Sequence, residues 1–162
     1  MNRIMRFFLI VNVIFYSSFS LGKQTASSVT NIKITVNDNT CAVTMPSKVY
    51  IGDIDYVGMN KHSPFHINVL CPVAKDISIT AKAMGISDGE PEWTRLLDGV
   101  YMKIYENNDS NNSTIDLTGV TSFCDFSETT KATCELIPIV NREPRSALGE
   151  FEKLISFTVS YN

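Results

Sequence analysis

From Phe151 to Tyr161 the chain alternates: Phe151, Ile155, Phe157, Val159 and Tyr161 take odd positions with Lys153 as the one polar intruder, while Glu152, Ser156, Thr158 and Ser160 share the even ones with Leu154. A two-residue period of aromatic and β-branched side chains specifies a strand with one buried face. This strand follows the Gly149 break and stops one residue before the chain does. It is therefore expected to be held by pairing with something already folded, either its own sheet or another polypeptide. Which of the two holds it decides how the remaining segments are arranged.

The same period recurs along the chain. In residues 31–36 it places Ile32, Ile34 and Val36 on one face, followed by the turn residues Asn37, Asp38 and Asn39 and then Cys41. In residues 65–71 it turns Phe65, Ile67, Val69 and Cys71 inward, and in residues 77–83 it does so for Ile77, Ile79, Ala81 and Ala83. Strands are also expected at 100–105, near 115–120 and at 133–140, where Pro138 marks an edge or a bulge. Loops are expected at 58–64, 87–93 and 141–148, and at the Asn/Asp/Ser-rich stretch 107–113, whose sequons at Asn108, Asn111 and Asn112 reflect that composition. Trp93 is expected in the core. Nothing holds a helical period for more than a turn, so the expected fold is all-β, a sandwich of immunoglobulin-like type built from seven or eight short strands. The antibody spacing of cysteine and tryptophan is absent.

Residues 1–22 read as a secretory signal peptide. Arg3 and Arg6 form a basic start, residues 7–16 are apolar apart from Asn12, and Ser20 and Gly22 are small residues at the cleavage positions. The expected cut follows Gly22, with Ser20 as the alternative. The apolar run is short of the ~20 residues that span a bilayer, and no later segment is long and apolar enough to span. About 140 of the 162 residues remain, enough for one domain with its own core. Loss of the two arginines moves the net charge from −3 to about −5, and no basic patch points to nucleic acid.

Export makes Cys41, Cys71, Cys124 and Cys134 a disulfide question. Of three pairings the favoured one joins sequence neighbours, Cys41 with Cys71 and Cys124 with Cys134. By loop entropy the longer bridge contributes ~3 to 4 kcal/mol and the shorter somewhat less. Zinc fails on spacing, since there is no Cys-x-x-Cys pair and neither His62 nor His66 lies near two cysteines in sequence. No metal and no cofactor is expected.

Catalytic patterns are missing: no G-x-S-x-G elbow, no H-E-x-x-H, no glycine-rich phosphate loop. His66 faces away from the buried side of its strand with no nucleophile or acid placed beside it. Asp53 with Asp55, and Glu90 with Glu92, lack the loop pattern of a calcium site and read as solvated surface. The chain is expected to work by binding, not as an enzyme.

The two ends carry a resemblance. The Ile32-Ile34-Val36 run before a cysteine, the C-x-V opening at Cys41-Ala42-Val43, the F-x-I-x-V-x-C strand ending at Cys71 and the closing G-x-F…F-x-V-x-Y with penultimate Tyr161 together resemble a pilin of the chaperone-usher pathway. The resemblance spans essentially all of the chain after residue 22. It implies an incomplete sandwich with a hydrophobic groove beside the C-terminal strand, completed by a donated strand. A periplasmic chaperone lends that strand first, and the N-terminal extension of the next subunit replaces it. Strand addition to an open edge supplies the affinity through backbone hydrogen bonds, and alternate side chains in pockets set the register.

Carried onto this chain, residues 23–40 are the donor extension and residues 41–162 the pilin domain. Thr30, Ile32, Ile34 and Val36 are the donor residues. Phe151, Ile155, Phe157, Val159 and Tyr161 line or border the groove and meet the chaperone, and the carboxylate of Asn162 is the group its basic residues anchor. The implied partners are the periplasmic chaperone, an outer-membrane usher and neighbouring pilin subunits. The implied route leads through the periplasm to a cell-surface fimbrium, where the subunit serves cell adhesion. Two departures, no glycine within residues 30–36 and a second cysteine pair, favour a minor or adaptor subunit. The alternatives are a tip adhesin with a lectin-like site, for which Trp93 and the asparagine-rich loop are the first suspects, and a self-complete secreted sandwich whose N-terminal strand folds back on its own domain.

Overall fold

A computed structural model describes residues 28–36, 41–87, 89–107 and 112–162. The signal peptide, its cleavage site and residues 23–27 lie outside the described residues, as do Asn108 and Asn111 of the sequons. The described strands are β1 (Ser28–Val36), β2 (Ala42–Thr44), β3 (Lys48–Tyr50), β4 (Gly58–Lys61), β5 (Phe65–Ala83), β6 (Ile86–Ser87), β7 (Glu90–Leu97), β8 (Val100–Asn107), β9 (Asn112–Thr114), β10 (Thr118–Arg142) and β11 (Phe151–Tyr161). They follow one path, β3-β1-β11-β5-β10-β8-β7-β6, with β2 on β5, β4 on β10 and β9 on β8. Among the described residues the chain is all-β, with an open sheet.

Two long strands fold this single path into two layers. β5 has 19 residues and β10 has 25, where short strands were expected. The first half of β5 pairs with β2 and with the late part of β10, from Leu70↔Lys131 to Phe65↔Leu136. Its second half pairs with β11, from Ile77↔Tyr161 to Ala83↔Ile155. Between the halves sits Pro72, which has no N–H to give the ladder. The β5–β10 register slips four times, and the non-glycine residues Cys124 and Glu128 take positive φ of 50° and 47°. Asp76 holds the bend: its Oδ1 accepts the Glu128 N–H at 2.9 Å. The buried positions keep the expected parity on both sides, with Phe65, Ile67, Val69 and Cys71 inward, then Ile77, Ile79, Ala81 and Ala83.

Phe157 on β11 joins the layers. Its ring meets Phe65 edge-on at 6.1 Å and Phe123 at 6.3 Å, drawing together one residue from each half of the bent ribbon and one from the strand beside it. Ile67, Ile79, Met102, Leu136 and Ile155, each at most 1% exposed, belong to the same core cluster. Both cysteine bridges are formed, Cys41–Cys71 with Cα atoms 4.2 Å apart and Cys124–Cys134 at 5.8 Å.

Segments 58–64 and 87–93, expected as loops, contain β4 and the first half of β7. Pro91 has no N–H to give the ladder, while its carbonyl accepts the Leu117 N–H at 2.8 Å. The buried Thr94 hydroxyl donates towards the carbonyls of Met84 and Gly85, at 3.1 and 3.2 Å. Trp93 is not in the core: Thr94 takes the inward position of β7, which leaves Trp93 half-buried on the outer face.

Candidate functional site

β11 has two edges, and the alternation of its sequence follows from what each does. Against β5 it forms an antiparallel ladder of seven residue pairs. Phe151, Ile155, Phe157 and Val159 point into the core, while Tyr161 is half-buried against it with its hydroxyl unpartnered. Lys153, the polar intruder, lies at the end of the layer, where its ammonium donates to the Arg95 carbonyl at 2.7 Å. Burial lowers its pKa, and the nearby Arg95 lowers it further.

The other edge of β11 is taken by β1. The pairing is parallel and unbroken, from Ser28↔Phe151 through Ile32↔Ile155 and Ile34↔Phe157 to Val36↔Val159. On its far side β1 pairs antiparallel with β3, as Val29↔Tyr50, Thr30↔Val49 and Asn31↔Lys48. β1 therefore sits between β3 and β11 and fills a slot that would otherwise separate them by two strand spacings, about 9.5 Å. Behind this slot an apolar cavity of about 10 Å³, room for about one water, is lined by Val49, Ile51, Phe65, Met102, Ile104, Pro138, Ile155 and Phe157. Thr30 lies in register with Val49, Ile32 with Ile155 and Ile34 with Phe157.

The residues expected to donate and those expected to receive thus lie side by side in one chain. Thr30, Ile32, Ile34 and Val36 are in β1; Phe151, Ile155, Phe157, Val159 and Tyr161 are in β11. Asn162 stands apart from the slot, on the β5 side: its N–H donates to the Asp76 carbonyl at 3.1 Å, and its own carbonyl accepts the Asp76 N–H at 3.3 Å. Residues 41–57, with Val43, Met45, Val49, Ile51 and Ile54 broken by Pro46 and Gly52, read in the sequence as short edge strands or an irregular crossing; β3 is such a strand, at the end of the path, but its place beside β1 was not legible. Three residues between Pro46 and Gly52 carry no measurable period, yet Val49 supplies the wall opposite β11.

The other candidate residues form no second site. Lys103 Nζ lies 4.7 Å from the ring centroids of both Trp93 and Tyr105, a cation held over two aromatic faces. Hydrogen bonding to Lys103 draws the Tyr105 phenol below its usual pKa, with burial opposing and Thr114 assisting. The lysine covers the aromatic surface a sugar ring would stack on. A polar cleft of about 600 Å³ runs past Glu92, Glu106, Asp116 and Asp125. Burial pushes the Asp116 carboxyl up, but hydrogen bonds from Thr118 and Thr121 outweigh it and hold the pKa below the usual value. Asp53, Asp55, Glu90 and Glu92 are exposed, as is His66, whose Nε2 lies 3.2 Å from Glu135. Among the described residues no group of three or more His, Cys, Asp or Glu side chains is placed to hold a metal. Nor is any helix among them long and apolar enough to cross a membrane.

No family model matches the chain, and no curated protein does. Among solved structures it is similar to the P pilus rod subunit PapA, with 12% identity and a TM-score of 0.46 over 64% of this chain and 82% of that one. It is also similar to the CupB6 tip adhesin from Pseudomonas aeruginosa, with 11% identity and a TM-score of 0.40 over 83% of this chain; there it spans 41% of the adhesin.

Proposed function

We propose that the chain is a structural or adaptor subunit of a chaperone-usher surface fimbria, linked to its neighbours by exchange of N-terminal strands and serving cell adhesion. One observation carries this reading. β1 lies inside the sheet, between β3 and β11, yet joins the rest of the domain only through residues 37–40. An interior strand at the end of a short tether is a separable part, and the slot it fills has backbone donors and acceptors on both walls. A strand of the same pattern from a periplasmic chaperone or from a neighbouring subunit fits that slot by the same pairing. Ile32, Ile34 and Val36 set the register, and the usher is the partner that would pass subunits to the surface.

The test removes the strand and returns it from outside. A chain lacking residues 23–36 is expected to bind a synthetic peptide of residues 28–36, read by fluorescence anisotropy. The peptide carrying Ile34→Asp is expected to bind at least 100-fold more weakly, because it puts a charge at the register position of the buried Phe157. If the truncated chain is a stable monomer that ignores the peptide, exchange through this slot is excluded.

The same β1 placement favours a second reading, a secreted sandwich complete in itself. The two differ in whether β1 leaves. In a self-complete domain the β11 amides facing β1 exchange hydrogen as slowly as those facing β5, whereas a separable strand releases them through a faster local opening.

A further inference from the structure

Resting on the adhesive role proposed above, but on none of its strand exchange, we infer that an open groove between β2, β3 and the start of β5 binds a short acidic saccharide. The groove has a volume of about 460 Å³, within the ~300–1,000 Å³ of small-molecule sites. Alternation builds it. In β3 Val49 turns towards the core, which leaves Lys48 and Tyr50 outside; in β5 Phe65 and Ile67 are buried, which leaves His66 and Asn68 outside. Thr44 of β2 pairs with Asn68 and adds a hydroxyl from the neighbouring strand. The buried Phe65, with Pro46 and Pro64, supplies the apolar part of the lining.

Two of the polar groups are held in place from β10. The Thr133 hydroxyl donates to Asn68 Oδ1 at 3.0 Å, which leaves the Asn68 amide N–H groups to donate. His66 Nε2 lies 3.2 Å from Glu135 Oε2, and the other oxygen of that carboxylate accepts from Asn107 Nδ2 at 2.6 Å. A carboxylate partner puts the imidazole proton on Nε2, so in the neutral ring Nδ1 is left to accept. His66 forms no site with the other residues singled out in the sequence, but beside Asn68 it sets an acceptor next to a donor. Adjacent hydroxyls of a sugar, each giving one hydrogen and taking another, match such a pair. Tyr50 is the stacking surface: it is 63% exposed, and among the described residues no lysine is held over its ring as Lys103 is over Trp93 and Tyr105. The apolar face of a pyranose fits flat on such a ring. Lys48, on the same face of β3, forms no ion pair among the described residues, and none of the described residues lining the groove is an acid. Its charge is therefore open to a carboxylate on the sugar.

The test titrates sialyllactose and a glucuronate-ended disaccharide into the whole chain with both bridges formed, with lactose as the neutral match, and follows backbone amide shifts by NMR. At least one acidic sugar is expected to bind and to move the amides of Thr44, Tyr50 and Asn68, and lactose to bind about tenfold more weakly for want of the Lys48 contact. Tyr50→Ala and Lys48→Gln are each expected to lose about tenfold in affinity, while Tyr50→Phe keeps it. Thr133 is a positioning residue: Thr133→Val is expected to lose about threefold with the melting temperature unchanged, and Thr133→Ser to restore binding. If neither acidic sugar moves an amide, if lactose binds as tightly as they do, or if Tyr50→Ala and Lys48→Gln leave binding as it was, the inference is overturned. The fimbrial reading is decided separately, by peptide uptake in the truncated chain, and stands or falls without the groove.

Discussion

Phe157 shows how far a single side chain reaches in this sandwich. At 1% exposure it touches Phe65 and Phe123, so Phe157→Ala is expected to cost about 3–5 kcal/mol in urea unfolding, the ordinary range for a buried phenylalanine left as a cavity. His62 gives a pH dependence. Burial holds its imidazole below the usual pKa of 6.5 against a smaller opposing pull from the Ile51 backbone, and its buried Nε2 has no partner. The unfolded chain therefore gains this proton at a higher pH than the folded one. The contribution is complete above 6.5 and drains away as the pH falls below it. The melting temperature is expected to drop between pH 7 and pH 5, with a shallower slope in His62→Gln. Position parity was legible in the sequence: in 65–71, 77–83 and 151–161 every residue assigned inward by alternation is buried except the half-buried Tyr161. Trp93 was not, because its face depends on where β7 begins. Lys153 looked like an error in the pattern; its reach to a carbonyl at the end of the layer depends on contacts no period encodes.

Among the elements, β5 and β10 hid their continuity. Read along the chain, 65–71 and 77–83 are two strands divided by Pro72, and only the pairing with β10 on both sides shows one ribbon bent in the middle. β7 hid behind Pro91 and its acidic neighbours, although the Asp98-Gly99 pair that follows it is a strong hairpin signal. Gly99 has φ of +69°, and a Cβ there would meet the Ser146 Cα at 2.9 Å. Gly99→Ala is thus expected to lose about 1–2 kcal/mol from backbone strain, with a further loss from that clash, measured by thermal denaturation. The bridge between Cys124 and Cys134, ten residues apart, ties the two limbs of the bend in β10. Replacing both cysteines by alanine is expected to cost about 2–3 kcal/mol from loop entropy.

At the scale of the molecule, the C-terminal alternation announced a strand in need of a partner, but it could not name the partner. Ile32, Ile34 and Val36 suit any apolar groove, their own included, and the choice turns on the reach of the chain after Val36 and on the anchor at Cys41. Neither is a property of the strand's own residues. Amide exchange on the chain lacking residues 23–36 gives the matching global readout: protection is expected to fall along the β1 side of β11 and to persist on the β5 side.

The walls of the slot run in opposite directions, since β1 is parallel to β11 and antiparallel to β3. Such a socket is ambidextrous: a guest inserted either way round meets one neighbour heading with it and one heading against it. A guest turned end for end would give the antiparallel ladder to the longer wall, nine residue pairs against three, and antiparallel ladders are slightly the stronger. Polarity in any assembly made through this socket is therefore imposed by how each guest is attached to its own body, and a loose peptide would be free to choose the reverse sense.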